Sequence, residues 1–178
     1  MTTAFVILGH RKRGVYHLLQ VTPLSLPKYI LSTAGAWMTI SVICGYIVFF
    51  AGYAVFHYGY NFMGMIAMLP IMIAGSLVYI FFGFLVSSFC KNESHLSMAS
   101  NLITMPLIFC SNAFYSIEKA PAAIKMIATV NPFQIFVNGL SGALENDWSK
   151  YGISLIIILG ILIIALALAV RTFQYSDK

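Results

Sequence analysis

The sequence predicts an all-α, polytopic membrane protein with about four transmembrane helices, and three observations lead there. Of the 178 residues, 60% are hydrophobic and only 8% are charged, giving a mean hydropathy of +0.89. A soluble domain of this length cannot turn so much apolar surface inward, because a large share of its side chains must face water. The apolar residues also fall into four long runs, and a helix needs roughly 20 such residues to cross a hydrocarbon core. Finally, the net charge of +5 reads as membrane orientation before nucleic-acid binding. Arg11, Lys12 and Arg13 are the single basic run, and no base-stacking ladder or zinc spacing accompanies them.

Residues 1–28 form a cytoplasmic N-terminal segment. MTTAFVILG, residues 1–9, is too short for a secretory apolar region with a cleavage site, and its charges follow rather than precede it. It reads as the tail of a hydrophobic element. In HRKRGVYHLLQVTPLS, residues 10–25, a helix would carry Val15, Leu18 and Leu19 on one side with the basic triplet at its start. Thr22-Pro23 ends that helix, since a residue before proline disfavours the α conformation, and Pro27 seats the first turn of the next. A helix of under three turns is unstable alone in water, so this one needs the lipid interface or a protein partner.

The transmembrane domain covers residues 29–172. Its first run, 29–56, has no charge, and Ala34, Gly35, Ala36, Gly45 and Gly52 recur along it as small residues that let helices approach closely in lipid. HYGYN, 57–61, supplies a break. The second run, 62–89, holds Pro70 and Gly75, and the proline predicts a kink near residues 66–70. KNESH, 91–95, reads as a polar turn. The third run, 96–115, carries Asn101, Pro106, Ser111 and Asn112. Polar groups at that depth are costly unless they face protein or water, which makes Asn101, Ser111 and Asn112 candidates for a translocation path or for interhelical hydrogen bonds. The fourth run, 151–171, is the cleanest and reads as a lipid-facing outer helix, followed by a tail at 173–178.

Segment 116–148 is neither polar enough for a free loop nor apolar enough for a span. Ile117, Ala120, Ile124, Ile127 and Ala128 fall at helical spacing while Lys119 and Lys125 can snorkel. Asn131-Pro132 breaks that helix and a second apolar piece, FQIFVNGLSGAL, follows. Two half-length helices joined there make either a re-entrant pair, tolerated where protein or a cavity satisfies the backbone, or an amphipathic connector lying on the external surface.

With four crossings, the positive-inside rule places both termini in the cytoplasm. Seven basic residues (Arg11, Lys12, Arg13, Lys28, Lys91, Arg171, Lys178) then lie inside, against Lys119, Lys125 and Lys150 outside. Glu118, Glu145 and Asp147 fall outside as well.

Catalytic constellations are weak. Cys44, Cys90 and Cys110 sit in or beside apolar stretches with no CxxC or Cys/His cluster, so they read as packing residues. Gly139-Leu140-Ser141-Gly142 has the form that surrounds the rhomboid protease nucleophile, but a serine needs a base and no histidine follows residue 95. No HExxH or carboxylate cluster offers a metal site.

Several residues, taken in order, resemble the type-2 ABC transporter permeases. Arg13-Gly14, Leu18-Leu19 and Thr22-Pro23-Leu24-Ser25 match the family's cytoplasmic segment of the form charged-Gly-Thr-x-x-x-Leu-Leu-x-Thr-Pro-Leu-Ser. Phe109-Cys110-Ser111-Asn112-Ala113-Phe114-Tyr115, then Ala120-Pro121 and Asn131-Pro132-Phe133, match its external re-entrant region. The resemblance covers about residues 9–172, the later two-thirds of a usual six-helix member, and the chain departs from the family in having Lys12-Arg13 where an acidic residue is often found. It implies that Gly14, Val15, Leu18, Leu19, Thr22 and Pro23 belong to a coupling-type helix that docks on an ABC ATP-binding subunit. It also implies a second permease copy or homologue as partner. No GxxxxGK[ST] occurs, so ATP and Mg would be used by the partner subunit and this chain would bind no cofactor. The resulting expectation is the permease subunit of an ATP-driven exporter in the cell membrane, in truncated form or as half of a split permease. The other reading is a non-transporting membrane scaffold or immunity protein.

Overall fold

A computed structural model describes residues 2–12, 26–56, 62–90, 92–113 and 121–175, and every regular element among them is an α-helix. In chain order these are α1 (Thr2–Lys12), α2 (Leu26–Phe56), α3 (Phe62–Phe89), α4 (Glu93–Phe109), α5 (Ala122–Val130), α6 (Pro132–Glu145) and α7 (Trp148–Tyr175). Among the described residues three segments are long and apolar enough to cross a membrane: Leu31–Phe56, Phe62–Phe89 and Trp148–Ala169. The chain is therefore a multi-pass membrane protein.

The third predicted span differs from the rest. Its helix starts earlier than the sequence suggests, because Asn92 takes the extended conformation of a cap and Glu93 to His95 join the first turn. A carboxylate is favourable at that helix end. It also stops earlier, in a turn at residues 110–113. Its 17 residues are about 25 Å long at 1.5 Å per residue, short of a hydrocarbon core of about 30 Å.

The core lies along α3, which is flanked by α7, α6, α2 and α1. Small residues decide where the backbones meet. A Cβ added to Gly64 would come within 2.5 Å of the Ala143 carbonyl oxygen, and one added to Gly142 within 2.8 Å of the Tyr151 nitrogen. Gly75 and Gly139 are filled in the same way by Phe136 and by Ile71 and Ser154. The GxSG stretch is thus a packing seam, with Gly139 turned to α3 and Gly142 to α7, while Ser141 is half-buried on α6.

The fourth apolar run is an outer helix with one packed stripe: most of its residues are exposed. α7 packs on both α3 and α6 through a stripe that buries Ser154, Ile158, Ala165 and Ala169, while the rest of its surface, with Ile156, Ile163 and Ile164, is exposed. Periodicity cannot separate two apolar faces, because lipid and protein interior accept the same side chains. Conversely, the small residues of α2 are mostly not seams: Ala34 is buried and Gly45 meets Met72, but Gly35 and Gly52 have no atom near an added Cβ. α3 runs through Pro70 as one helix. Near this point the Tyr46 hydroxyl donates to the Met65 carbonyl at 2.8 Å, one residue from the carbonyl that the proline leaves without its helical donor.

Contacts fix the order of levels along the bundle. At one end Ala4 and Leu8 of α1 pack with Cys90 and Leu96, and less than two turns back along α3 Phe84 packs with Ala34 and Ala169. At the other, Gly64 meets Ala143, and the tight α6–α7 turn is built from Asn146 in the left-handed conformation and Asp147, whose Oδ1 accepts from the Lys150 amide. Asparagine tolerates that backbone geometry, and the aspartate caps α7. Ile135, in the first turn of α6, joins one cluster with Ile71, Ala74, Val78 and Ile158. Those partners are the middle residues of α3 and α7, so the start of α6 is level with the middle of both long helices.

Candidate functional site

The break between α5 and α6 carries the main polar cluster among the described residues. Asn131 is 3% exposed. Its Oδ1 accepts from the Phe133 amide at 2.9 Å, capping α6, and Pro132 at the first helical position needs no acceptor. Its Nδ2 donates to the carbonyls of Leu107 at 2.7 Å and Cys110 at 3.0 Å. Those carbonyls belong to the end of α4, where the last turn has no helical donors. Ser111 completes the job: fully buried, its hydroxyl donates to the Ile108 carbonyl at 2.6 Å. One asparagine and one serine therefore satisfy the ends of two helices that meet level with the middle of the bundle.

A second chain of hydrogen bonds leads away from this junction. The Asn112 amide donates to Gln134 Oε1, and Gln134 Nε2 donates to Asn138 Oδ1 at 2.7 Å. A backbone N–H can only donate, so it fixes the orientation of both side-chain amides and leaves the Asn138 amino group at the end of the relay. Together with Lys125, Thr129 and Ile135 these residues wall a cleft of about 420 Å3 between α5, α6 and the end of α4. Asn138 also borders a shallower cleft with Asp147, Lys150 and Ser154, which carries the polar surface on to the α6–α7 turn.

Gln134 and Asn138 are absent from the sequence-level candidates. The signal was available: Gln134, Asn138, Ser141 and Glu145 recur at i, i+4, i+7 and i+11, one stripe of α6. Among the residues that sequence reasoning did select, Ser111, Asn112, Asn131 and Pro132 come together at the junction. Asn101 does not; it is exposed on α4, more than two turns away. Gly14, Val15, Leu18, Leu19, Thr22 and Pro23 lie outside the described residues. Arg11 and Lys12, expected to open the coupling-type helix, instead end α1.

A separate cavity of about 400 Å3 lies between α2, α3 and the start of α6, with Trp37, Tyr79, Phe133 and Phe136 on its walls. Tyr79 stacks edge-on against Phe133, and its hydroxyl is buried without a hydrogen-bond partner. All three cysteines are free. No group of three or more metal-ligating side chains gathers among the described residues.

The family model described as ABC-2 family transporter protein matches residues 1–171. No curated protein and no solved structure matches the chain.

Proposed function

The chain belongs to the ABC-2 family of transporter proteins, and we propose that it is the membrane-spanning permease subunit of an ATP-driven ABC exporter. Membership makes it a transport component rather than a catalyst, acting with an ABC ATP-binding subunit. The exported substrate belongs to the drug, lipid or glycan type, and a second permease copy or homologue completes the pathway. ATP and Mg are used in the partner subunit, in keeping with the missing phosphate-binding loop.

The observation that carries this reading is the buried amide junction level with the middle of α3 and α7. Backbone that stops being helical at such a depth is tolerated only where protein or a water-filled cavity satisfies it, and amides at that depth mark substrate paths. In this reading α5 and α6 re-enter from the external face, Asn131-Pro132 is the deepest point, and Asn112, Gln134 and Asn138 wall the outer part of the path. Asn101, exposed on α4, faces the second permease copy. Lys28 and Arg171 belong to the bundle end opposite Glu145 and Lys150, which supports cytoplasmic termini in the cell membrane.

ATP-driven motion enters through residues 10–25, with Val15, Leu18 and Leu19 as the apolar contact on the ATP-binding subunit. Mild-detergent pull-down of the chain from native membranes, with mass spectrometry of bound proteins, tests this. A co-purifying subunit with a Walker motif is expected, lost on Leu19→Glu with membrane insertion unchanged. A well-folded preparation that brings down no ATPase would replace transport by a scaffold or immunity role.

A further inference from the structure

The cleft between α5 and α6 has a chemical polarity that its function as a wall does not require. The relay from the Asn112 amide uses the acceptor oxygens of both Gln134 and Asn138. The Thr129 hydroxyl is also committed, donating to the Met126 carbonyl at 2.7 Å. Two donor groups remain at this cleft: the Asn138 amino group and the Lys125 ammonium. Among the described residues no carboxylate lines this cleft. Among the described residues Lys125 has no ion pair, whereas Lys150 lies 3.8 Å from Glu145. A concave site with a cation and an amide donor suits an oxyanion.

The surroundings say what carries the oxyanion. Lys125 and Thr129 are one turn apart on α5, and the residues beside them, Met126, Ile127 and Val130, are 77%, 55% and 76% exposed. An apolar ridge of that kind, next to a polar cleft on a helix in a membrane protein, suits a hydrocarbon chain. We propose that the α5–α6 cleft binds the anionic headgroup of an amphiphile, a phosphate ester held by Lys125 and Asn138, with its acyl or isoprenoid tail along Met126, Ile127 and Val130. The proposal rests on the re-entrant reading of α5 and α6 but not on any partner subunit.

The test uses the full chain in phosphatidylcholine nanodiscs, titrated with fluorescent phosphatidylglycerol and with a phosphatidylcholine carrying the same label. The wild-type chain is expected to prefer the anionic lipid about tenfold, more than the roughly fivefold that a single basic residue near an anionic surface supplies. Lys125→Gln should reduce the preference to below about twofold, and Lys125→Arg should keep it. Asn138→Leu, which leaves the charge in place, should lower it several-fold. Lys28→Gln, at the opposite end of the bundle, should leave it unchanged. Equal loss in Lys28→Gln and Lys125→Gln would overturn the proposal, leaving only surface electrostatics. Displacement of the lipid by millimolar inorganic phosphate would overturn it too, because a free oxyanion would then be the ligand. Since no ATPase takes part, failure here leaves the exporter reading standing, and failure of the pull-down leaves this site standing.

Discussion

α2 and the α3–α6–α7 core are built from nearly the same residue types and behave oppositely. The apolar window of α2 has a hydropathy of 2.0 and none of it is buried, while that of α3 has 2.3 and is half buried. Glycines separate them more clearly than hydropathy does. On α3 and α6, Gly64 and Gly142 face backbone of a neighbouring helix; on α2, Gly35 and Gly52 face open space. In lipid an apolar side chain gains little by moving from acyl chains to protein, so close packing and satisfied backbone groups select the core. Polar groups follow the same division, with Asn131, Gln134, Ser111 and Ser154 buried in or beside the core.

The comparison breaks most sharply at Asn131. Asn131→Leu removes the α6 cap and leaves the Leu107 and Cys110 carbonyls without donors, which should cost about 4 kcal/mol at 1–3 kcal/mol for each buried unsatisfied group. Unfolding of the purified protein in mixed micelles reads this directly. Thr39→Val on α2, whose hydroxyl bonds only its own helix at Gly35, should change stability by less than about 0.5 kcal/mol.

Next come the glycines. Gly142→Ala and Gly64→Ala push a methyl group against backbone atoms and should each cost about 2 kcal/mol, within the range for overpacking. Gly35→Ala and Gly52→Ala should be neutral or stabilise by up to about 1 kcal/mol, the helix-propensity gain of alanine over glycine. Equal effects in both pairs would mean that α2 is packed as tightly as α3 in the membrane.

The smallest pair concerns two tyrosine hydroxyls. Tyr46→Phe removes the bond to the Met65 carbonyl and should cost about 1 kcal/mol. Tyr79→Phe removes a buried hydroxyl without a partner and should be neutral or slightly stabilising.

Legibility in the sequence followed the same physics. The long helices could be read because twenty apolar residues have one physical use, and the break at Asn131-Pro132 because proline cannot donate. What could not be read was which apolar face meets protein. α7 reads as a lipid-facing helix and is mostly exposed, but its packed stripe of Ser154, Ile158, Ala165 and Ala169 is not visible in the sequence, and the glycines of α2 read as seams and are mostly open. The apolar run 96–115 overshoots the end of α4 at Phe109, where Asn131, more than twenty positions further on, supplies donors to Leu107 and Cys110. Gln134 and Asn138 were hidden by apolar neighbours, although their spacing on α6 was visible. The family resemblance was carried by short motifs in order, and the match over residues 1–171 agrees with it.

Spin labels decide most directly whether the α5–α6 junction lies in the membrane interior or on its surface. In a variant with Cys44, Cys90 and Cys110 replaced, a nitroxide on Val130→Cys, beside the junction, can be compared with one on Asn146→Cys in the α6–α7 turn. Power saturation with oxygen and with a water-soluble nickel chelate gives the depth of each. Val130 is expected near the middle of the bilayer, reached by oxygen and shielded from the chelate, with Asn146 open to water. Equal, shallow depths for both labels would contradict it and make α5 and α6 a surface connector.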